Sequence, residues 1–269
     1  MPLAAAFSRV TVFSLLPLIL LSLPLSLRSQ DAPPRLDVPY VPTPEAVVQR
    51  MLEMAEIRPD DYLIDLGSGD GRIAISAVRD HAARKALGVD LNPQRIREAR
   101  QNAERAEVTD KVEFEQGDLF EKDISKADVL TLYLLPQVNL RLRPVILDTL
   151  EPGTRVVSHA FSMQDWEADQ SDVVEGNYIY LWIVPAKVEG RWQVDAGGRT
   201  YSLDLHQHFQ QVEGTASAPG VQSEVKGSLH GDELRFTLDD QLYVGKVEGN
   251  RIRAVPVNGA MPKWAARRS

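Results

Sequence analysis

The chain has 269 residues, 43% hydrophobic and 25% charged, enough for one large domain or two modest ones. Its formal net charge of −8 argues against a general nucleic-acid binder, which would carry a basic face. It has no cysteine, which excludes disulfides, thiolate zinc sites and thiol nucleophiles, and its five histidines show no HExxH spacing, so no metal site is expected.

In chain order, residues 1–29 come first. "VTVFSLLPLILLSLPLSL" (10–27) is apolar apart from Ser and Thr and follows Arg9. It reads as a secretory signal or a retained membrane anchor. The expected location is therefore exported or membrane-anchored, the periplasm or inner membrane in a bacterium. Residues 30–42 form a proline-rich linker. Thr43-Pro44-Glu45 predicts a helix start, with Thr43 as N-cap and Pro44 at the first helical position. Val47, Val48, Met51, Leu52 and Ala55 then recur at helical spacing.

Alternation follows. "YLIDLG" (62–67) reads as a strand, "GRIAISAVRDHAA" (71–83) as a helix and "KALGVD" (85–90) as a strand. Asn92-Pro93 opens the helix "QRIREARQNAERA", whose alternating charges read as a solvated face. "KVEFEQGD" (111–118) and "DVLTLYLL" (128–135) are strands, and "PQVNLRLRPVILDTL" is a helix. "TRVVSHAF", ending near His159, and "NYIYLWIV" (177–184) are two more strands. Strands alternating with helices predict an α/β, doubly wound, mostly parallel sheet over residues 43–186.

From residue 187 to 269 the pattern becomes glycine-punctuated and strand-like. "GSLHGDELR" (227–235) and "GKVEGNRIR" (245–253) repeat, each with Gly-Asp or Gly-Asn between alternating runs. Those dipeptides are hairpin turns, so a small all-β meander, a barrel or a sandwich, is expected. His206 and His208 would share one solvated face of it.

The chemistry concentrates in "DLGSGDG" (65–71). A glycine-rich turn between strand and helix lets backbone approach a ligand at the carboxyl edge of the sheet. No Gly-Lys-Ser/Thr follows, which excludes a P-loop. Gly67, Gly69 and Gly71 give G-x-G-x-G, and Arg72 stands where the third glycine of the dinucleotide fingerprint belongs. Asp65 precedes the loop, where a carboxylate suits a cation better than a pyrophosphate. S-adenosylmethionine carries an ammonium and a sulfonium and no phosphate. Asp90, ending the second strand, is placed to accept from ribose hydroxyls. Asp118, ending the third, is placed to accept from the adenine amino group, with Leu119 and Phe120 beside it.

On "DLGSGDG", "GVD", "EQGDLF" and "YLLPQVN" the chain resembles class I S-adenosylmethionine-dependent methyltransferases. "VPYVPTP" (38–44) and "LLPQVNLRLRP" are similar to the branch of mitochondrial lysine methyltransferases that modify the ATP synthase c subunit and the adenine nucleotide translocase. The resemblance implies a seven-stranded Rossmann-like sheet with an antiparallel final hairpin. It implies that Asp65, Gly67, Gly69, Gly71, Asp90, Asp118 and Leu119 bind the cofactor. Tyr40 and Thr43 would close over its methionine end, and Leu135, Pro136 and Gln137 would flank the transferable methyl. Tyr133, Gln137 and Asn139 are the candidate catalytic groups. The expected reaction is N-methylation of a protein lysine or another amine, with a protein or small amine as partner, no nucleic acid, and membrane association through the N-terminal segment. A small-molecule or lipid-like acceptor and a non-catalytic envelope binding module are the alternatives.

Overall fold

The computed structural model describes residues 41–257, 259 and 262–269. The expectations placed on residues 1–40, including the apolar segment and Tyr40, lie outside them. Among the described residues no helix is long and apolar enough to cross a membrane.

The first part of the fold is α1 (Glu45–Met54), β1 (Tyr62–Leu66), α2 (Arg72–Arg79), β2 (Lys85–Asp90), α3 (Pro93–Arg105), β3 (Val112–Gln116), β4 (Val129–Leu132), α4 (Pro136–Thr149), β5 (Arg155–His159), β6 (Gln170–Val174) and β7 (Asn177–Ile183). The strands form one seven-stranded sheet in the order β3-β2-β1-β4-β5-β7-β6, with β7 antiparallel to both neighbours. The strand order reverses between β1 and β4, which opens a crevice at their carboxyl ends.

The near-continuous apolar runs arise because both faces are covered. Leu63, Phe114, Val129 and Val157 pack under α1, α2 and α3. Ile64, Leu66, Leu130 and Val156 pack on the other face with Val138, Leu142 and Ile146 of α4. Burying each such side chain contributes about 1.5–3 kcal/mol. At the opposite edge from the crevice, Arg155 reaches across the sheet. Its guanidinium donates to Asp61 at 2.5 Å and to the carbonyls of Ala55 and Glu56 at 2.9 and 3.0 Å.

Helix starts follow local chemistry at α3 and depart from it at α1. Asn92 caps α3 by accepting from the Gln94 N–H at 2.9 Å, with Pro93 as the first helical residue. At α1 the expected Thr43 cap is not formed. Pro44 is extended (ψ 147°) and is itself the flanking residue, its carbonyl accepting from the Val47 and Val48 N–H groups. The Thr43 hydroxyl is drawn to His159 instead, at 3.2 Å.

The second part is all β: β8 (Gly190–Ala196), β9 (Arg199–His208), β10 (Gln211–Ala218), β11 (Val221–His230), β12 (Glu233–Leu238), β13 (Gln241–Glu248), β14 (Arg251–Ala254) and β15 (Trp264–Arg268). They close an eight-stranded antiparallel barrel, with β15 pairing β8. Alternate residues point inward, and Trp192, Val194, Leu203, Phe236 and Trp264 fill the interior. The repeated Gly-Asp and Gly-Asn pairs are the β11–β12 and β13–β14 turns, with Gly231 and Gly249 both at φ +59°. The leading glycine of the second copy has a packing role, since a Cβ on Gly245 would lie 2.6 Å from the Trp264 ring. His206 and His208 are exposed on the barrel, near Glu189 and Asp165.

Sheet and barrel are in direct contact. The Ala186 N–H donates to the Gly231 carbonyl at 2.8 Å. Phe209 stacks on Trp166 with ring centres 5.9 Å apart, and the Arg143 guanidinium lies over the same Phe209 ring.

Candidate active site

A cavity of about 240 Å³ opens at the carboxyl ends of β1, β2, β3 and β4. Its position follows from topology: where strand order reverses, the loops leaving β1 and β4 diverge and leave space between them.

The glycine loop forms its floor. Gly67, Gly69 and Gly71 all have positive φ (+80°, +54° and +82°), a region open to glycine at no steric cost. The loop folds back on β2, where the Val89 carbonyl accepts from the Gly67 and Ser68 N–H groups at 2.8 and 3.0 Å. Two of the glycines also make room for neighbours. A Cβ on Gly67 would lie 2.7 Å from Leu134, and one on Gly71 would lie 2.4 Å from the Phe114 ring.

The carboxylates stand in sheet order. Asp65 of β1 is buried, and its Oδ1 accepts from the Thr131 hydroxyl of β4 at 2.7 Å. Its Oδ2 is buried with no protein partner, as is the Ser68 hydroxyl. Burial pushes the Asp65 carboxyl up to about 7, against the pull of the Thr131 bond, and the charges of Asp90 and Asp70 push it the same way. Asp90 ends β2 and already holds protein: Oδ2 accepts from the Gly69 N–H at 2.9 Å and Oδ1 from the Asn92 N–H at 2.8 Å. A carboxylate retains further lone pairs for a diol. Asp118 follows β3, is exposed, and accepts from the Phe120 N–H at 2.9 Å.

On the other half of the edge the wall changes character. Tyr133, Leu134 and Leu135 follow β4, and Phe161 follows β5. Val41, Pro42 and Thr43 also line the cavity. Acids thus occupy the β1, β2 and β3 stations, and aromatic and aliphatic groups the β4 and β5 stations.

Of the residues singled out from the sequence, Thr43, Asp65, Gly67, Asp90, Asp118, Leu119, Tyr133 and Leu135 line the cavity. Gly69 and Gly71 shape the loop beneath. Pro136 and Gln137 open α4 directly after Leu135, are exposed, and are not among the lining residues. Asn139 is buried behind it, donating to the Ser158 hydroxyl and the Phe161 carbonyl at 3.2 and 3.3 Å. Two residues at the site, Thr131 and Arg72, carry no local signal of their role in the sequence, and His159 is legible there only as the polar end of the fifth strand. Thr131 orients Asp65 across a strand pair. Arg72 pairs with Asp70 at 2.6 Å and donates to the Thr43 carbonyl at 2.7 Å, tying the loop to the segment before α1. His159 lies behind Thr43 and Tyr133.

The residues present fit a cationic nucleoside. A buried carboxylate oxygen without a partner is costly unless a donor or cation meets it. An ammonium meets that need, whereas a phosphate would add a third like charge beside Asp65 and Asp90. Asp65 and Ser68 would hold the amino-acid end, Asp90 the ribose, and Asp118 with Leu119 the base. The chemistry such a cofactor supplies is a methyl group on sulfonium sulfur, already activated toward displacement.

Comparison with known proteins bears on the same residues. The family model of the ANTKMT methyltransferase domain matches residues 65–170. A protein-lysine N-methyltransferase of Saccharolobus islandicus is 49% identical over 151 residues, 55% of this chain and 94% of that protein. The lysine N-methyltransferase of the ATP synthase c subunit from Xenopus laevis is 30% identical over 173 residues, 64% of this chain and 70% of that protein. A crystal structure of an RNA methyltransferase from Salinibacter ruber, bound to S-adenosyl-L-homocysteine, superposes with a TM-score of 0.54 at 53% identity, covering 55% of this chain and 96% of that one.

Proposed function

Since the chain belongs to the S-adenosylmethionine-dependent methyltransferases, in the branch of the ATP synthase c subunit and adenine nucleotide translocase lysine methyltransferases, we propose that its acceptor is a lysine side chain of a protein. The enzyme uses S-adenosylmethionine as methyl donor. The observation that carries the lysine reading is the 49% identity to a protein-lysine N-methyltransferase along 94% of that protein.

The wall chemistry supports it. Methyl transfer is an in-line displacement, so the protein's task is to align and desolvate the nucleophile. A lysine must lose its proton before its nitrogen has a lone pair to offer. Among the described residues, the β4–β5 half of the cavity, with Tyr133, Leu135 and Phe161, carries no carboxylate to stabilise the ammonium form. Desolvation there lowers an amine's pKa. The aliphatic stem of lysine packs on such walls, and an aromatic face receives the cationic product.

The Salinibacter ruber structure motivates RNA as the competing acceptor. The test gives the full-length protein methyl-labelled cofactor with matched protein and RNA fractions. Label on lysine, released by protease and indifferent to ribonuclease, supports the proposal. Label confined to RNA overturns it. The proposal extends to location: residues 10–27 anchor or export the chain, and recovery of the protein from the soluble cytosol of expressing cells would count against that part.

A further inference from the structure

His159 ends β5 at 1% exposure and does not itself line the cavity, yet it touches two residues that do. Its Nδ1 lies 3.2 Å from the Thr43 hydroxyl, and its ring centre lies 3.9 Å from that of Tyr133 with the planes 33° apart. Its Nε2 lies 3.3 Å from Oδ1 of Asn177, which opens β7.

The partners fix the tautomer. The Asn177 amide nitrogen donates to the carbonyls of Val174 and Glu175, both at 3.3 Å, so the amide oxygen is the atom turned to the imidazole. An amide oxygen only accepts, so Nε2 carries the proton. Nδ1 is then bare and accepts from the Thr43 hydroxyl. Burial pushes the imidazole below its ordinary pKa, with the Asn177 bond a smaller opposing effect, which favours the neutral ring. Charged groups on the surrounding elements face other partners: Arg50 pairs with Asp172, Glu45 accepts from Gln49, and Arg72 pairs with Asp70.

We propose that His159, as the neutral Nε2–H tautomer, is a positioning residue that sets two walls of the cofactor cavity at once, holding the segment before α1 through Thr43 and backing the Tyr133 ring. The Thr43 carbonyl accepts from Arg72, so the same residue links β5 and β7 to the glycine loop. Thr43 lies one residue before the Pro44 cap position of α1, so its hydroxyl is left to meet His159. The inference needs only the cofactor cavity and is independent of whether lysine is the acceptor.

The test uses the full-length protein at pH 8 and two readouts. Nitrogen-15 spectra of the labelled imidazole report the tautomer, and the expected result is a protonated Nε2. Calorimetry reads S-adenosyl-L-homocysteine affinity in four variants. His159→Leu is expected to weaken binding about tenfold, the worth of one buried hydrogen bond. His159→Asn, whose amide oxygen overlays Nδ1, is expected to recover most of that loss. Thr43→Val is expected to match His159→Leu, and the double variant to bind no worse than either single one. Melting curves confirm that each variant is folded at the temperature used. Unchanged affinity in folded His159→Leu, an Nδ1–H tautomer, or full additivity of the two substitutions would overturn the proposal.

Discussion

The sheet and the barrel are both closed around apolar interiors, but they treat polar groups in opposite ways. At the carboxyl edge of the sheet, Asp65 Oδ2 and the Ser68 hydroxyl are buried without protein partners, and three glycines of positive φ at alternate positions carry the backbone past them. In the barrel, inward positions are taken by Trp192, Phe236, Leu238 and their neighbours, and the only buried side-chain polar atom without a partner among its described residues is the Trp264 indole nitrogen. One half leaves buried polar atoms beside an open cavity, and the other packs its inward positions with apolar side chains. The difference places the cofactor cavity in the sheet.

Substitutions can break that contrast or sharpen it. The largest expected effect is at Arg155. Arg155→Met strands the buried Asp61 carboxylate and two carbonyls, and should cost about 3–5 kcal/mol of unfolding free energy in denaturant titration. If stability scarcely moved, the sheet's buried polar groups would be no more demanding than the barrel's apolar ones.

Next is Asp65→Asn, expected to weaken cofactor binding by about 2 kcal/mol, roughly thirtyfold, in calorimetry. The pH dependence has a definite sign. Asp65 sits at about 7 when folded and near 3.8 otherwise, so the folded, ligand-free protein binds the extra proton between those values. Its stability therefore falls as pH rises from about 4 to 7, while affinity for a cationic ligand climbs over the approach to 7. The Asn variant should lose this component of both trends, and an unaltered wild-type-like dependence would assign it to another group.

Phe209→Ala removes the ring between Trp166 and Arg143 at the sheet–barrel contact. For a half-buried ring this should cost about 2 kcal/mol and split thermal unfolding into two transitions. A single sharp transition at lower temperature would mean that the two halves depend on each other for folding. The smallest effect is at Gly249, where φ is +59° and no neighbour lies within 4 Å of an added Cβ. Gly249→Ala should cost about 1 kcal/mol from backbone conformation alone, with cofactor affinity unchanged.

The sequence made legible whatever depends on local pattern. The apolar runs of β1, β2 and β4, the Asn92-Pro93 start of α3 and the two glycine hairpins all carry their cause within a few residues. The acids at the ends of β1, β2 and β3 were readable because parallel strands put successive carboxyl ends on one edge. What escaped depends on distant partners. Thr43 has the pattern of a cap, but its hydroxyl meets His159, 116 positions away. Thr131 and Asp65 meet only once β1 and β4 are paired in register. β6, "QSDVV", is polar and lies at the sheet edge, so it lacks the apolar signal of its neighbours. The barrel was legible only as one of two all-β forms, barrel or sandwich, because its closing pair joins Trp264 to Ala196 and no hairpin signal spans that interval.

That closing pair also sets an order of events. The seven strands of the sheet are all in hand once Ile183 has left the ribosome, whereas β8 at the barrel's start waits for β15, the last of the eight to be made. Until then β8 presents an unpaired edge beside a finished domain. Synthesis runs at about 5–20 residues per second, so the interval lasts several seconds. Through that time the barrel strands lie as an open sheet edge, and the ties from Arg268 to the carbonyls of Lys187 and Glu189 can form only once the end of β15 has been made.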